Sequence, residues 1–472
     1  MKVRLFLFYF SPKHRQENKI HNLSSYSSGL RQYSAQNLFR LTETSASQLQ
    51  PYLDVNNIIK IQDVLQDSIN KRQLTRKQVK EVKILFHKAQ AYQRRKETAI
   101  QLKEENTTKY QALSRAENGK EVNKEKLLEL KEQGRLLRDE VRAAEAKFNE
   151  VNDSLVDFVL SIPNILDKET PASEAQLLKE VVPKIEFEYD PEYTAVETQC
   201  GPGLLAEFPI GKAAWLDIDL RGRAQAHLLN GGFVETGNAE YVKRLILQGA
   251  GMDESQFLRI REPNVKKGWE HATYLAGGAS FPSFLALFAQ SIIEDPKILP
   301  IRYFVIGRSY ESQKTKPGFY QSHVVQAFVA CRNEEEMEKE FHNLQNLMES
   351  FYSEKVGFTF QTQIVPAPRL QMYERKKLAF VMNKTDKSAS KMIGTLSTVG
   401  DYVSKRLLCC YFDEKKKTQF LHLISAKFFD ITHFLRSPSP KLITHSDILA
   451  KGKPSPEMLT FENDESQNQR QP

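Results

Sequence analysis

Basic side chains are the most concentrated chemical resource of this 472-residue chain. Between positions 71 and 109 stand Lys71, Arg72, Arg76, Lys77, Lys80, Lys83, Lys88, Arg94, Arg95, Lys96, Lys103 and Lys109. Only Glu81, Glu97, Glu104 and Glu105 oppose them, an excess of eight positive charges. Ammonium and guanidinium groups crowded in this way can neutralise the phosphates of a nucleic acid. The same crowding is what a solvated helix face carries when it binds nothing. No aromatic-interleaved recognition sequence accompanies the bases, so a grip on RNA would follow shape and backbone rather than base identity. Other residue types offer less. Cys200, Cys331, Cys409 and Cys410 show no C-x-x-C or Cys/His spacing, which argues against a zinc site or a disulfide framework. Gly231-Gly232-Phe233-Val234-Glu235-Thr236-Gly237 has glycines but neither the spacing nor the Lys of a phosphate-binding loop. His323 and His422 read as packed histidines, and no Ser-His-Asp or Cys-His set stands out.

The elements that must position the bases are helices. From Asn56 to Phe158 the chain is charged and nearly free of Gly and Pro. In its second half Leu127, Leu130, Gly134, Leu137, Val141, Ala144, Phe148, Val151, Leu155 and Phe158 alternate steps of three and four, the seam of a coiled coil. The first half, from Arg76 to Leu113, carries a more ragged stripe through Val82, Leu85, Ala89 and Tyr92. Between them Asn118-Gly119 marks a turn. Two helices around one turn predict an antiparallel hairpin, each arm of about 38 residues reaching about 57 Å. Pro163, in Ile162-Pro163-Asn164, stops the second helix.

Beyond a linker the pattern changes. Short β-rich runs at Arg302–Ile306, Gly357–Ile364, Leu378–Val381 and Leu407–Phe412 mix with helical stretches such as Glu334–Tyr352. Strands and helices do not alternate regularly, which predicts an α+β domain with a largely antiparallel sheet. The expected organisation is a leader at 1–45, a helical arm at 56–160, a linker at 161–195, the α+β domain at 196–450 and a polar, disordered tail at 451–472. The first 40 residues hold seven bases, many serines and Glu17 as their one acid. That balance reads as a mitochondrial transit peptide, with a basic tail or a short secretory core at Leu5–Phe10 as the other readings. Hydrophobic residues at 40% are normal for a globular protein, and the net charge of +8 favours an anionic partner. No run of about 18 apolar residues is present to span a membrane.

The order of landmarks resembles the seryl-tRNA synthetases of class II: a long helical hairpin, then Leu160-Ser161-Ile162-Pro163-Asn164, then an α+β domain, over residues 55–435. Pro263, in Arg261-Glu262-Pro263-Asn264-Val265, sits where the proline of motif 1 belongs. Ile301-Arg302-Tyr303 is similar to the strand into motif 2, and Gly318-Phe319-Tyr320 with His323 to its return strand. Asp401-Tyr402, Lys405-Arg406 and Lys417-Thr418-Gln419-Phe420-Leu421-His422 track the approach to motif 3. Within the family, the resemblance is to the catalytically degenerate mitochondrial members of insects.

That resemblance implies where catalytic charges should stand, and they are replaced. Gly278 and Ser280 take the places of the serine-binding Thr and Glu. Ser309 occupies the phosphate-binding Arg of motif 2, with Glu311 kept, and Gln321 the Arg of the return strand. Arg308 is displaced by one residue, which on a strand points it to the other face. Met392 stands for the metal-binding Glu and His433 for the motif 3 Arg, while Phe428 fills a position where glycine would let a nucleotide approach. Losing one transition-state clamp costs on the order of 10²–10³ in rate, so the family's chemistry is expected to be absent, with no cofactor and no metal. What remains implied is a pseudoenzyme of the mitochondrial matrix that binds tRNA, tRNA-Ser foremost, through Arg72, Arg76, Lys77, Lys80, Lys83, Arg94 and Arg95. It would form a homodimer, or a heterodimer with mitochondrial seryl-tRNA synthetase, through Gly231 to Val265. A divergent active ligase using Arg308 and Lys427, and a regulatory protein whose partner is another protein or DNA, are the alternatives.

Overall fold

A computed structural model describes residues 51–74, 78–116, 124–183, 196–201, 204–260, 272–312, 319–382 and 391–436. The leader, the Asn118-Gly119 turn, the tail, Pro263 and the arm bases Arg76 and Lys77 lie outside the described residues.

The helical half opens with two short helices, α1 (Val55–Lys60) and α2 (Gln62–Lys71). It continues as α3 (Lys80–Ala116) and α4 (Lys124–Leu160), 37 residues each. Lys96 meets Glu145 at 3.0 Å and Asn106 meets Gln133 at 3.0 Å, so the two long helices run antiparallel. On α4 every seam position is buried or half-buried, while Leu128 and Leu136 between them stay exposed. Burial deepens toward the root, where Val55, Leu65, Ile69, Val82, Phe86 and Leu155 make a core of their own.

The second half is built on a ten-stranded sheet. Its strands are β1 (Gln176–Val181), β2 (Val196–Gly201), β3 (Leu204–Pro209), β4 (Val234–Glu235) and β5 (Ile301–Ser312), then β6 (Phe319–Cys331), β7 (Phe360–Ile364), β8 (Lys376–Met382), β9 (Lys391–Gly400) and β10 (His422–Asp430). The order is β1-β7-β8-β9-β10-β6-β3-β2, with β5 on β6 and β4 on β5. Every pairing is antiparallel except β3 on β6 and β4 on β5. The helices of this half are α5 (Lys212–Asn230), α6 (Arg244–Gly249), α7 (Phe281–Phe288), α8 (Glu334–Ser350), α9 (Tyr402–Leu407) and α10 (Ile431–Leu435).

Side chains alternate across a strand, and β6 uses both faces. Val325, Ala327 and Val329 pack against Phe341 and Met348 of α8, whereas Val324 and Phe328 pack against Phe284 and Phe288 of α7. The start of α8 is written locally: the Asn333 side chain accepts from the Glu336 amide, and three glutamates fill the first turn, facing the positive end of the helix dipole. Two expected boundaries move. The helix expected through Tyr352 loosens after Ser350 into one wider turn, closed by left-handed Gly357 at φ +75°. The strand expected from Leu407 begins only at Cys410, because Leu407 closes α9 and Leu408 turns left-handed.

Candidate functional site

Two surfaces bear on function, one on the sheet and one on the arm. The pleat brings Ser309 of β5, Ser322 and Gln326 of β6, Ser425 and Lys427 of β10, and Thr395 and Ser397 of β9 to one face. Ser309 pairs with Ser322, Gln326 and Thr395 both pair with Lys427, and Ser397 pairs with Ser425. Apart from Lys427 these groups are neutral, and several are bonded to one another or to close neighbours. The Gln326 amide donates to Ser425 at 3.0 Å, and Ser397 donates to the Glu374 carboxylate at 2.8 Å. Lys377 lies 3.0 Å from the same carboxylate, and Lys427 lies 3.6 Å from Asp430.

The degenerate positions gather around this face in two groups. The loop of Gly278 and Ser280 lies directly on β5. The Ala279 amide donates to the Arg308 carbonyl at 3.0 Å, and a Cβ on Gly277, at φ +86°, would come within 2.2 Å of that oxygen. Only glycine can make that approach. Ser280 donates back to Gly277 at 2.7 Å. On β5 Ser309 is buried and Arg308 exposed, on opposite faces. In the second group His433 of α10 stacks on Tyr320 with ring centres 5.7 Å apart, and its Nδ1 lies 3.3 Å from the Met392 carbonyl. Gln321 is not brought to either, since its neighbours Tyr320 and Ser322 hold the cleft face and the pleat turns it away.

Two expectations about single residues fail here. Phe428 does not crowd the cleft; it packs into the core under α8 against Phe351, because β10 bulges opposite Val325 and Gln326. His323 is half-exposed, not packed in a core, with Nδ1 3.2 Å from the buried Asp217 of α5. His422 is half-buried, and burial lowers its pKa. Among the described residues no group of three or more His, Cys, Asp and Glu is arranged to hold a metal ion. None of the described helices is long and apolar enough to cross a membrane.

On the arm, Lys80, Lys83, Arg94 and Arg95 are exposed along α3. Lys96 is tied to Glu145. Arg72 is a correction: it is 5% exposed and cannot meet a ligand. Its guanidinium donates to the carbonyls of Gln371 and Asn164 at 2.8 and 3.3 Å, and to that of Glu374. A further set of bases was missed. Lys131, Arg135, Arg138 and Arg142 are all exposed on α4, and their steps of four, three and four align them on one flank. Seven bases against nine acids on α4 hide this stripe from a simple count. Its spacing relative to the seam is the signal that would have found it.

Over 387 residues the chain is 26% identical to the serine–tRNA synthetase-like protein Slimp of Drosophila melanogaster, covering 80% of this chain and 82% of that protein. The chain is seryl-tRNA synthetase-like. The fold agrees. The seryl-tRNA synthetase of Pyrococcus horikoshii, solved with ATP, superposes with a TM-score of 0.66 at 14% identity, over 81% of this chain and 93% of that one. The cytoplasmic serine-tRNA ligase of Naegleria fowleri, solved with AMP, gives 0.65 at 14% identity, over 85% and 97%. No protein-family model matches. The chain thus combines a helical hairpin and a largely antiparallel sheet with a sheet face on which Gln326, Ser425 and Ser397 are bonded to one another or to Glu374.

Proposed function

We propose that this chain is a mitochondrial seryl-tRNA synthetase-like pseudoenzyme: it binds tRNA, with tRNA-Ser the expected one, through its helical arm, and neither binds ATP nor aminoacylates. The observation that carries this reading is the state of the cleft. Gly278, Ser280, Ser309, Met392 and His433 stand where the resemblance calls for a serine anchor, a metal carboxylate and phosphate-binding arginines. The hydroxyl of Ser280 and the ring of His433 are engaged within the protein itself. Adenylation depends on positioned charges around developing charge, and hydroxyls bonded to their own neighbours cannot supply them. The test is serine-dependent ATP–pyrophosphate exchange together with thermal denaturation in ATP. Neither exchange nor a shift is expected. Ligand at 100 times Kd stabilises a fold by about 2.7 kcal/mol, so a clear upward shift with ATP would overturn the reading.

The same reading makes the protein a dimer of the matrix, with itself or with mitochondrial seryl-tRNA synthetase. Large apolar side chains exposed on the described surface cluster in sequence from Phe208 to Leu258, with Trp215 of α5 56% exposed and Ile218 one turn further on. Exposed apolar side chains of this kind are what an obligate interface, on the order of 2,000 Å² or more, buries. Light scattering should give twice the 54.3 kDa chain mass for the wild type and a monomer for Trp215→Asp with Ile218→Asp. A wild-type monomer that captures no synthetase would remove the dimer from the proposal.

A further inference from the structure

Arg72 is a buried cation between the arm and the body. It follows α2 directly and lies ahead of α3. Its three hydrogen bonds all go to main-chain carbonyls: Asn164, just past the end of α4, and Gln371 and Glu374, just ahead of β8. Its Nε is buried without a partner. Burial pushes its pKa down to about 10. Replacing it alone would leave three main-chain carbonyls without their donor, so Arg72 contributes to stability, but a stabilising role alone does not call for directed bonds to two separate segments.

Direction does account for it. A planar guanidinium fixes the angles of the groups it joins, which a flexible ammonium or an apolar chain does not. The three carbonyls belong to two segments that enter the body at different points, and Arg72 ties both to the last turn of α2. Neighbouring bonds support the same joint: the Ser68 hydroxyl accepts from the Leu166 amide at 3.1 Å, and the Asn164 side-chain Nδ2 donates to the carbonyls of Tyr373 and Val399 at 2.8 and 2.7 Å. On the other side of the root, Val156 and Leu160 of α4 pack into the core beneath α7. Apolar packing resists separation there, while the directional bonds at Arg72 resist rotation.

We propose that Arg72 is a positioning residue that fixes the direction of the helical arm relative to the sheet, and so the angle at which the arm's exposed bases meet a bound RNA, without touching the RNA itself. The second half of this statement rests on the tRNA-binding reading; the first half does not.

Spin labels in full-length protein, at Gln111→Cys near the arm tip and Lys339→Cys on α8, with Cys200→Ser, report the distance between arm and body. Arg72→Met should lower the melting temperature and, in protein that is still folded, broaden that distance distribution, and Arg72→Lys should fall between Met and wild type. An unchanged distribution in both variants overturns the proposal. Should Arg72→Met fail to fold, Arg72→Lys alone decides. In tRNA binding, Arg72→Met should weaken affinity about tenfold through lost pre-organisation. The salt dependence should keep its slope, whereas loss of one phosphate contact lowers it by about 0.9. A slope lowered by that amount would make Arg72 a contact residue and overturn the positioning role. Wild-type protein that binds no tRNA would sink the proposed function, and the distance measurement would still decide for or against the arm's fixed direction.

Discussion

The arm and the cleft handle polar side chains in opposite ways. Along α3 and α4, Lys80, Lys83, Arg94, Arg95, Lys131, Arg135, Arg138 and Arg142 are long cations held out into solvent. On the sheet face, Ser309, Ser322, Gln326, Ser425 and Ser397 are short, neutral and buried, with several bonded to each other or to Glu374. A group that acts on a partner must have bonding capacity left over. A group whose capacity is met inside the fold contributes to stability instead. Under the pseudoenzyme reading proposed above, the sheet serves as a platform whose polar groups are spent on the fold, and binding is left to the surface that still carries exposed charge.

The contrast can be broken at either end. Reversing Lys80, Lys83, Arg94 and Arg95 to Glu should give the largest effect, a loss of about 10²–10³ in tRNA affinity with a salt slope lower by about 3–4. Filter binding over a salt series reads both quantities. A folded variant with wild-type affinity would move the RNA site off α3, and the same reversal at Lys131, Arg135, Arg138 and Arg142 tests whether α4 shares it. At the other end, Glu374→Ala should cost about 2–3 kcal/mol of stability in urea denaturation, because it leaves Ser397 and Lys377 without their acceptor. RNA affinity measured in the same preparation should hold as long as the protein is folded. A loss of affinity without loss of stability would give the cleft a binding role.

The smallest effect concerns acid. Burial holds both His227 and His422 below their ordinary pKa of 6.5, so the folded protein keeps them neutral where the unfolded chain would take up protons. Stability is therefore complete above pH 6.5 and falls as the pH drops from there toward the folded values. His422→Gln should recover about 1–2 °C of melting temperature at pH 5.5 and change nothing at pH 8. An equal shift at both pH values would mean that packing, not protonation, is being read.

The parts of this molecule that repeat with a period were legible in the sequence. Leu127 to Phe158 announced the seam because a coiled coil needs apolar residues at alternating steps of three and four, and that is where burial falls. The strands at Arg302–Ile306 and Leu378–Val381 were legible for a similar reason, being short β-rich runs between breaks. Arg72 was not. Its type and its company of bases argued for solvent, and nothing local says that carbonyls at positions 164, 371 and 374 will close around it. Phe428 was misread because a bulge between two strands decides which face a side chain takes, and a bulge is a property of the pair. The α4 stripe was hidden by the acids of its own helix, which outnumber the bases in a sum, although of the stripe it is Arg142 that meets one, Asp139 at 3.8 Å.

The arm is also a lever. At 37 residues and a rise of 1.5 Å each, α3 carries its far end about 55 Å from its start, so a tilt of about 5° at the root displaces the tip by about 5 Å. That is more than the reach over which an ammonium group and a phosphate oxygen form a contact. Under the proposed tRNA-binding reading, small losses of angular precision at the base are magnified into the difference between gripping and missing, so the mechanical tolerance of the arm is set at its fulcrum.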